Sequence, residues 1–285
     1  MRALQKREKR LLIYFGLLIV FLIGDKIYRH WTYSITKETD HFIIYSSATQ
    51  EQTDEIASIV ELVYNEYEGV LKQLGKTIQP HKKLKIKLYK DRKEFKHCNN
   101  RAGWAEGFYR YPYSHQYYDS NSGNPYQWAM HEIVHQINNE ATKLDLKLWL
   151  DEGLASYMSS CIIDGNSLRL SDVDVNTYPI WWFDIFATSG DLQSDIENKS
   201  IIPLRVIISG KRGLDMDEYF NLYYLHWWSI AHFLMNYNDG QYIDGFNKVI
   251  SDNGTLSSFE KNIGKVEDIE KQWYQYTLEL KNEWW

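Results

Sequence analysis

The chain has 285 residues, of which 44% are hydrophobic and 25% charged. This composition is globular and excludes disordered and low-complexity classes. At about 150 residues per domain, the length corresponds to one large domain or two smaller ones. The net charge is −6, although five of the first ten residues are basic and one is acidic, so the body is acidic. An acidic body argues against nucleic-acid binding, and no nucleic acid is expected as a partner.

An apolar run follows the basic cluster at the N-terminus. Residues 11–24 read LLIYFGLLIVFLIG, which is shorter than the roughly 20 residues of a full membrane span. A signal peptide is one interpretation, but the following residues are large or charged and offer no small-residue cleavage site. An uncleaved anchor is therefore favoured over a cleaved signal peptide. A buried core helix is a weaker interpretation, because it would leave the basic cluster unexplained.

The charge distribution predicts the orientation of this anchor. Under the positive-inside rule, residues 1–10 lie in the cytoplasm and the body lies outside. The expected localisation is the cell membrane, with a single pass. In that compartment a disulfide between Cys98 and Cys161 is permitted but not required, and two cysteines are too few for a disulfide framework.

The next elements are predicted from hydrophobic periodicity. Residues 29–40 are polar and are interpreted as a tether. Strands are predicted at 41–46 and 83–89, with a long amphipathic helix over 50–74 between them. Asp91 is expected to cap a short helix, and 106–110 and 116–119 are expected to form a hairpin or edge strands around Pro112. From Tyr126 onward only helical patterns are found, including 218–237 and 266–284, so the class is α+β.

The segment 124–140, NPYQWAMHEIVHQINNE, carries the strongest chemical signal. Asn124 and Pro125 suit a helix start. His131 and His135 then lie about 40° apart on the polar side of the helix. Two imidazoles one turn apart can bind one Zn²⁺, and Glu132 beside them can take a proton from water without ligating the metal. The alternative to a metal site is that these residues form a solvated polar face of the helix.

A catalytic zinc needs a third protein ligand. Asn138 and Ala141 stand where a metzincin would have Gly and His, which excludes that class. Glu152 lies in LWLDEGLASY, among small residues that let its helix pack close to the first. A buried carboxylate in such surroundings needs a metal or a partner. Asp151 is the rival, but it points about 100° away and is expected to stay solvated or to support a ligand.

HEIVH at 131–135 followed by WLDEGLASY at 149–157 resembles the gluzincin metallopeptidases, specifically the peptidase MA-like group. The likeness extends loosely over about 240 residues, including EGFYR at 106–110 and the segments 224–234 and 259–273. It implies a zincin-like fold, with the HExxH helix and the third-ligand helix lining a cleft. It also implies that His131, His135 and Glu152 bind one zinc per chain.

The resemblance further implies roles for two catalytic residues. Glu132 matches the general base, and Tyr224 matches the tyrosine that stabilises the oxyanion, although a buried core tyrosine is the alternative. Asp151 stands where the family usually has Asn. The aminopeptidase motif Gly-x-Met-Glu-Asn is absent, which favours an endopeptidase.

The sequence thus predicts four parts: a basic head and anchor at 1–28, a tether at 29–40, a zincin-like catalytic subdomain at 41–160 and a mainly helical subdomain at 161–285. The expected function is a membrane-anchored zinc peptidase acting on a peptide or protein substrate. A catalytically silent binding or scaffold protein with the same fold is the alternative. His115 is a candidate for lining the cleft, whereas the aromatic runs 181–183 and 227–228 are expected in the core.

Overall fold

The computed structural model describes residues 6–28, 30–79 and 81–284. Helix α1, Lys6–Tyr28, carries the apolar run, and the side chains from Leu11 to Ile23 that are large and hydrophobic are exposed. Residues 1–5, half of the predicted basic head, lie outside the described residues. Within the described ranges, no helix combines the length and the mean hydropathy needed to cross a membrane.

A five-stranded mixed sheet follows. Its strands are β1 (Ile35–Glu38), β2 (Phe42–Ser46), β3 (Leu84–Tyr89), β4 (Phe108–Arg110) and β5 (Tyr113–Tyr117), in the order β1-β2-β3-β5-β4. The three central strands are parallel and each edge strand is antiparallel to its neighbour. The predicted strands at 41–46 and 83–89 are confirmed. The interpretation of 29–40 as a tether is wrong for 35–38, because these residues pair with β2.

Helices cover the inner face of this sheet. Helix α2, Gln50–Gln73, begins at a capping box in which Thr49 and Gln52 bond reciprocally. Its apolar side packs on β2 and on helix α4, Gln127–Gln136, which also contacts β5. Helix α3, Arg92–Cys98, is capped by Asp91 as predicted, since the Asp91 side chain accepts from the Glu94 amide. The hairpin around Pro112 is also confirmed, although its second strand begins at Tyr113 rather than near 116.

The helix predicted within 124–140 changes its geometry part way. The α-helical portion ends at Gln136, and Ile137–Thr142 continue as a π-helical turn that Lys143 closes in the left-handed conformation. The expected cap is displaced as well, because the Asn124 side chain accepts from the Tyr126 amide rather than from a later turn. Helix α5, Leu148–Ser159, follows after a short connection.

The remainder of the chain is mostly helical, with one exception to the prediction. Cys161–Asp164 (β6) and Ser167–Val173 (β7) form a two-stranded antiparallel hairpin, so the expectation of only helices after Tyr126 is wrong. Polar residues interrupt the alternation in β7, which is why its pattern does not read clearly as a strand. A 3₁₀ helix at Ile180–Ile185 and α6 (Leu192–Glu197), α7 (Leu204–Ser209), α8 (Met216–Asn236), α9 (Ile243–Ser251), α10 (Leu256–Asn262) and α11 (Val266–Trp284) complete the fold.

One main hydrophobic core links the two predicted subdomains. It runs from Phe42 in β2 to Leu280 in α11 and includes residues of α4, α5 and α8. Helix α5 lies between α4 and α8. The architecture is therefore α+β with a small mixed sheet, and the two helices that carry the HExxH motif and Glu152 pack directly against each other.

Candidate metal centre

Three side chains from α4 and α5 bring one ligand atom each to a common point. The Nε2 atoms of His131 and His135 are 3.2 Å apart. The Oε2 atom of Glu152 lies 3.3 Å from His131 Nε2 and 3.6 Å from His135 Nε2. The structure therefore brings together the three residues that the sequence predicts as metal ligands.

The separations between these three nitrogen and oxygen atoms are close to those between the ligands of a zinc ion. Ligands in a tetrahedral shell about 2.0–2.1 Å from zinc are about 3.3–3.4 Å apart, close to the three distances here. Glu152 Oε2 is also buried and accepts no hydrogen bond within the described residues. An orphaned buried carboxylate oxygen costs free energy unless a cation or donor meets it. The donor set of two imidazoles and one carboxylate therefore fits a divalent metal such as zinc.

A chain of hydrogen bonds orients one of the three candidate ligands, His135. His135 Nδ1 is 2.8 Å from Asp151 Oδ2, and Asp151 Oδ1 accepts from Asn138 Nδ2 at 2.8 Å. The phenol of Tyr67, on α2, donates to Asn138 Oδ1 at 2.7 Å. Asp151 thus orients His135, which is one of the two roles that the sequence left open for it, and leaves His135 Nε2 available to a metal. Tyr67 and Asn138 were not predicted, because their contribution depends on how α2 and the π turn pack.

Removing the charge of Asp151 is expected to weaken metal binding. Asp151→Asn keeps the shape of the side chain but cannot accept the His135 proton equally well, so the zinc dissociation constant should rise roughly 10–100-fold. Competition with a chromogenic chelator measures this change. Asp145→Asn, which alters another carboxylate of the same cavity, is the control and should leave the constant unchanged. Equal affinities in both variants would contradict the supporting role.

Glu132 lies beside this cluster and is packed against the sheet edge. Its side chain is only 6% exposed. A Cβ atom placed on Gly107, the residue before β4, would come within 2.8 Å of Glu132 Cγ and 2.9 Å of Oε1. Gly107 therefore provides the space in which the Glu132 carboxylate lies. This requirement for glycine was not predicted, although EGFYR was identified as the edge segment.

The charges of the cluster shift the pKa of each member. Burial raises the pKa of Glu132, and the nearby His131 and His135 oppose that rise only in part. Burial also acts to raise the pKa of Glu152, but His135 and His131 outweigh it and the pKa falls. For His135, burial disfavours the charged form, whereas Asp151 and Glu152 raise its pKa well above the usual value. Two carboxylates close to one imidazole make the site attractive to a cation.

The position of Glu152 depends on close packing of α5. A Cβ atom on Gly153 would meet the Trp227 carbonyl oxygen at 2.7 Å, so glycine lets α5 approach α8. The sequence suggested that small residues serve the approach of α5 to α4, but Gly153 faces α8. The consequence is that Tyr224, on α8, lies near the cluster, with its ring centroid 6.3 Å from that of His131.

A second tyrosine accompanies Tyr224. The ring centroids of Tyr178 and Tyr224 are 5.1 Å apart, and both side chains line the cavity that also contains the three candidate ligands. The Tyr178 hydroxyl is buried without a hydrogen-bond partner among the described residues, whereas its amide donates to Gln127 of α4. Burial and then the Glu152 carboxylate raise the pKa of both phenols. Tyr178 was missed because it lies in a loop with no recognisable motif.

The cavity that contains these residues has a volume of about 910 Å³. Its wall includes Trp104, Trp181 and Trp182, and the last two are each 41% exposed. The expectation that the run 181–183 belongs to the core is therefore wrong for both tryptophans, although it is confirmed for Phe183 and for 227–228. The 3₁₀ helix turns its two tryptophans towards the cavity and only Phe183 into the core.

His115 lies on β5, next to the wall of this cavity but not among its lining residues. Its ring stacks on Phe108 with centroids 4.4 Å apart, and its Nδ1 is 3.0 Å from the Tyr89 hydroxyl. Burial lowers the pKa of His115 to about 3, with smaller contributions from Lys87 and Arg110. His115 is not among the residues that line the cavity, so its role as a cleft residue is not supported.

No protein-family model matches the chain, and a search of curated proteins gives no significant match.

Proposed function

We propose that the chain is a zinc-dependent peptidase with a zincin-like fold, in which His131, His135 and Glu152 hold one zinc ion. The observation that carries this proposal is the convergence of His131 Nε2, His135 Nε2 and Glu152 Oε2 within 3.6 Å of one another at the wall of a large cavity. Three protein ligands are typical of a catalytic zinc site, which keeps a fourth position open. The buried acid Glu132 beside the cluster favours catalysis over a structural zinc site.

Glu132 and the two cavity tyrosines have separate roles in the proposed hydrolysis. When bound, zinc supplies Lewis-acid polarisation of a carbonyl group and lowers the pKa of water. Glu132 accepts a proton from the water that attacks the scissile carbonyl carbon and passes it to the amine nitrogen as the C–N bond breaks. Burial raises the pKa of Glu132 and so makes it a stronger base than an exposed glutamate. The phenols of Tyr224 and Tyr178 donate to the oxygen on which negative charge develops.

Gly107→Ala is expected to disturb catalysis without removing the metal. The added methyl group would displace the Glu132 side chain, and a displacement of about 1 Å at a reacting group can cost roughly 100-fold in rate. Peptide turnover should fall while the zinc content stays at one per chain. Gly69→Ala is the matched control, since open space surrounds that position on α2. Unchanged turnover in Gly107→Ala would contradict the proposed packing role.

The two cavity tyrosines are expected to contribute to turnover. Removing one oxyanion donor typically costs roughly 10²–10³ in kcat, so Tyr224→Phe and Tyr178→Phe should each lower kcat with little change in zinc content. Tyr223→Phe is the control on the same helix, because its hydroxyl instead donates to the Leu214 carbonyl at 2.9 Å. If only one of the two cavity variants loses turnover, the other phenol has no catalytic role.

The localisation is part of the same proposal. We propose that the body is attached to the cell membrane through residues 11–28. The large hydrophobic side chains from Leu11 to Ile23 are exposed and need an apolar environment, which supports attachment.

A peptide-library digest tests the activity directly. The zinc-loaded full chain is incubated with mixed peptides, and new termini are identified by mass spectrometry. We expect cleavage that a chelator abolishes and added zinc restores. If the zinc-loaded protein cuts no peptide, the alternative gains support, namely a catalytically silent protein that uses the aromatic cavity for binding.

A further inference from the structure

The outer face of the five-stranded sheet is a second functional surface. The strand register places Tyr45 opposite Lys87 and Lys85 opposite Tyr113, all on the side away from α2 and α4. The alternate residues, such as Ile44 and Ile86, point into the core. Helix α3 packs over one end of the outer face, where its Phe95 contacts Tyr89 and Tyr117. On the remainder of this face, Tyr45, Lys85, Lys87 and Tyr113 are partly exposed.

Aromatic rings form a continuous row across the accessible part. Successive ring centroids are separated by 5.4 Å from Trp31 to Tyr33, 5.0 Å from Tyr33 to Tyr45 and 6.2 Å from Tyr45 to Tyr113. Tyr33 is 49% exposed, and Tyr111, in the turn beside Tyr113, is 72% exposed. Trp and Tyr side chains with one apolar and one polar part are those preferred at a membrane–water interface.

Two lysines give this row a positive charge. The Lys87 amine lies 4.6 Å from the centre of the Tyr113 ring and 5.5 Å from that of Trp31, and Lys85 also lies over Tyr113. In the part of the chain that the structure describes, neither amine pairs with a carboxylate. Glu38, an acid on the same face, is paired with Lys83 at 2.8 Å. A basic surface on an acidic chain indicates an anionic partner.

The position of the row along the chain indicates which partner this is. Trp31 follows the last residue of α1 by three positions, so at most about 10 Å of chain separates the row from that helix. The apolar side chains of α1 are exposed from Leu11 to Ile23. When α1 lies in the apolar part of a bilayer, a surface of aromatic and lysine side chains this close to the helix lies at the level of the lipid headgroups.

We propose that this outer sheet face, comprising Trp31, Tyr33, Tyr45, Lys85, Lys87 and Tyr113, docks on the headgroups of an anionic phospholipid bilayer. The aromatic rings lie at the interface, and the two ammonium groups meet lipid phosphates. This inference rests on the proposed membrane attachment, and it is independent of the proposed peptidase activity. Docking would hold the body in a fixed orientation on the membrane, with β4 at one edge of the docked sheet.

Hydroxyl-radical footprinting of the full chain tests the docking. The protein is oxidised alone, with phosphatidylcholine vesicles and with vesicles that also contain phosphatidylglycerol. We expect a several-fold decrease in the modification of Tyr33, Tyr45 and Tyr113 on the anionic vesicles. Trp181 and Trp182, exposed at the cavity, serve as internal controls and should stay reactive.

Charge-reversal variants identify the groups responsible. Lys85→Glu/Lys87→Glu should lose the protection while still sedimenting with vesicles through α1. Lys261→Glu/Lys265→Glu, the same charge reversal at two exposed lysines between the start of α10 and α11, should keep the protection. Unchanged reactivity of the three tyrosines in vesicle-bound wild type would overturn the docking while leaving the attachment intact. Failure to sediment with either kind of vesicle would overturn both. Protection that rises with protein concentration in the absence of vesicles would also overturn the proposal, because the occupant would then be a second copy of the chain.

Discussion

Glu132→Gln is expected to keep zinc and to lose peptide hydrolysis. The amide has nearly the same size as the carboxylate and fits the space beside Gly107, so the packing around α4 is preserved. It cannot accept a proton from the attacking water, and positioned proton transfer of this kind contributes roughly 10²–10⁴ in rate. The measurement is kcat on a peptide found in the digest, together with the zinc content of the same preparation.

A second glutamate provides the matched control for this substitution. Glu140→Gln, in the π turn that follows α4, makes the same chemical change at a carboxylate that accepts from Gln136 and Tyr109. It should leave turnover within a few-fold of wild type. Undiminished turnover in Glu132→Gln would remove Glu132 from the mechanism, even if the metal centre itself were established.

His131→Ala and His135→Ala are expected to abolish stoichiometric zinc binding. Each substitution leaves two of three protein ligands, which is an incomplete site for zinc. Glu152→Gln should weaken binding less completely, since an amide oxygen can still approach the ion but carries no charge. Zinc per chain is measured by elemental analysis after dialysis against a weak chelator. His30→Ala, at an exposed histidine, is the control and should retain one zinc per chain.

Wild-type zinc content in both histidine variants would contradict the assignment of the ligands. Loss of zinc accompanied by loss of folding would show as a changed circular dichroism spectrum. In that case the zinc content of Glu152→Gln tests the assignment of the ligands, because this substitution preserves the side-chain volume at the same centre.

The elements with strong periodicity could be predicted from the sequence. The capped amphipathic helix α2 and the alternating strand β3 match their predicted bounds within one residue, because local spacing alone determines which side is buried. The hairpin at 161–173 and the strand at 35–38 were missed. Both are short and partly exposed, so their formation depends on pairing with a neighbouring strand rather than on a pattern within the segment.

Some residues of the candidate site could likewise be predicted from local spacing, and others could not. His131 and His135 are about one helical turn apart and Glu132 is next to His131, so their proximity follows from the helix alone. Glu152 needed only the expectation that a second helix packs on the first. Tyr67, Gly107 and Tyr178 could not be found, since each reaches the site from a distant segment through tertiary packing.

Anomalous diffraction at the zinc absorption edge, from crystals of the zinc-loaded protein, tests the central claim most directly. The account predicts one strong anomalous peak per chain, about 2.0–2.1 Å from His131 Nε2, His135 Nε2 and a Glu152 carboxylate oxygen. A peak bound to other residues, or no peak between α4 and α5 in zinc-loaded crystals, would contradict it.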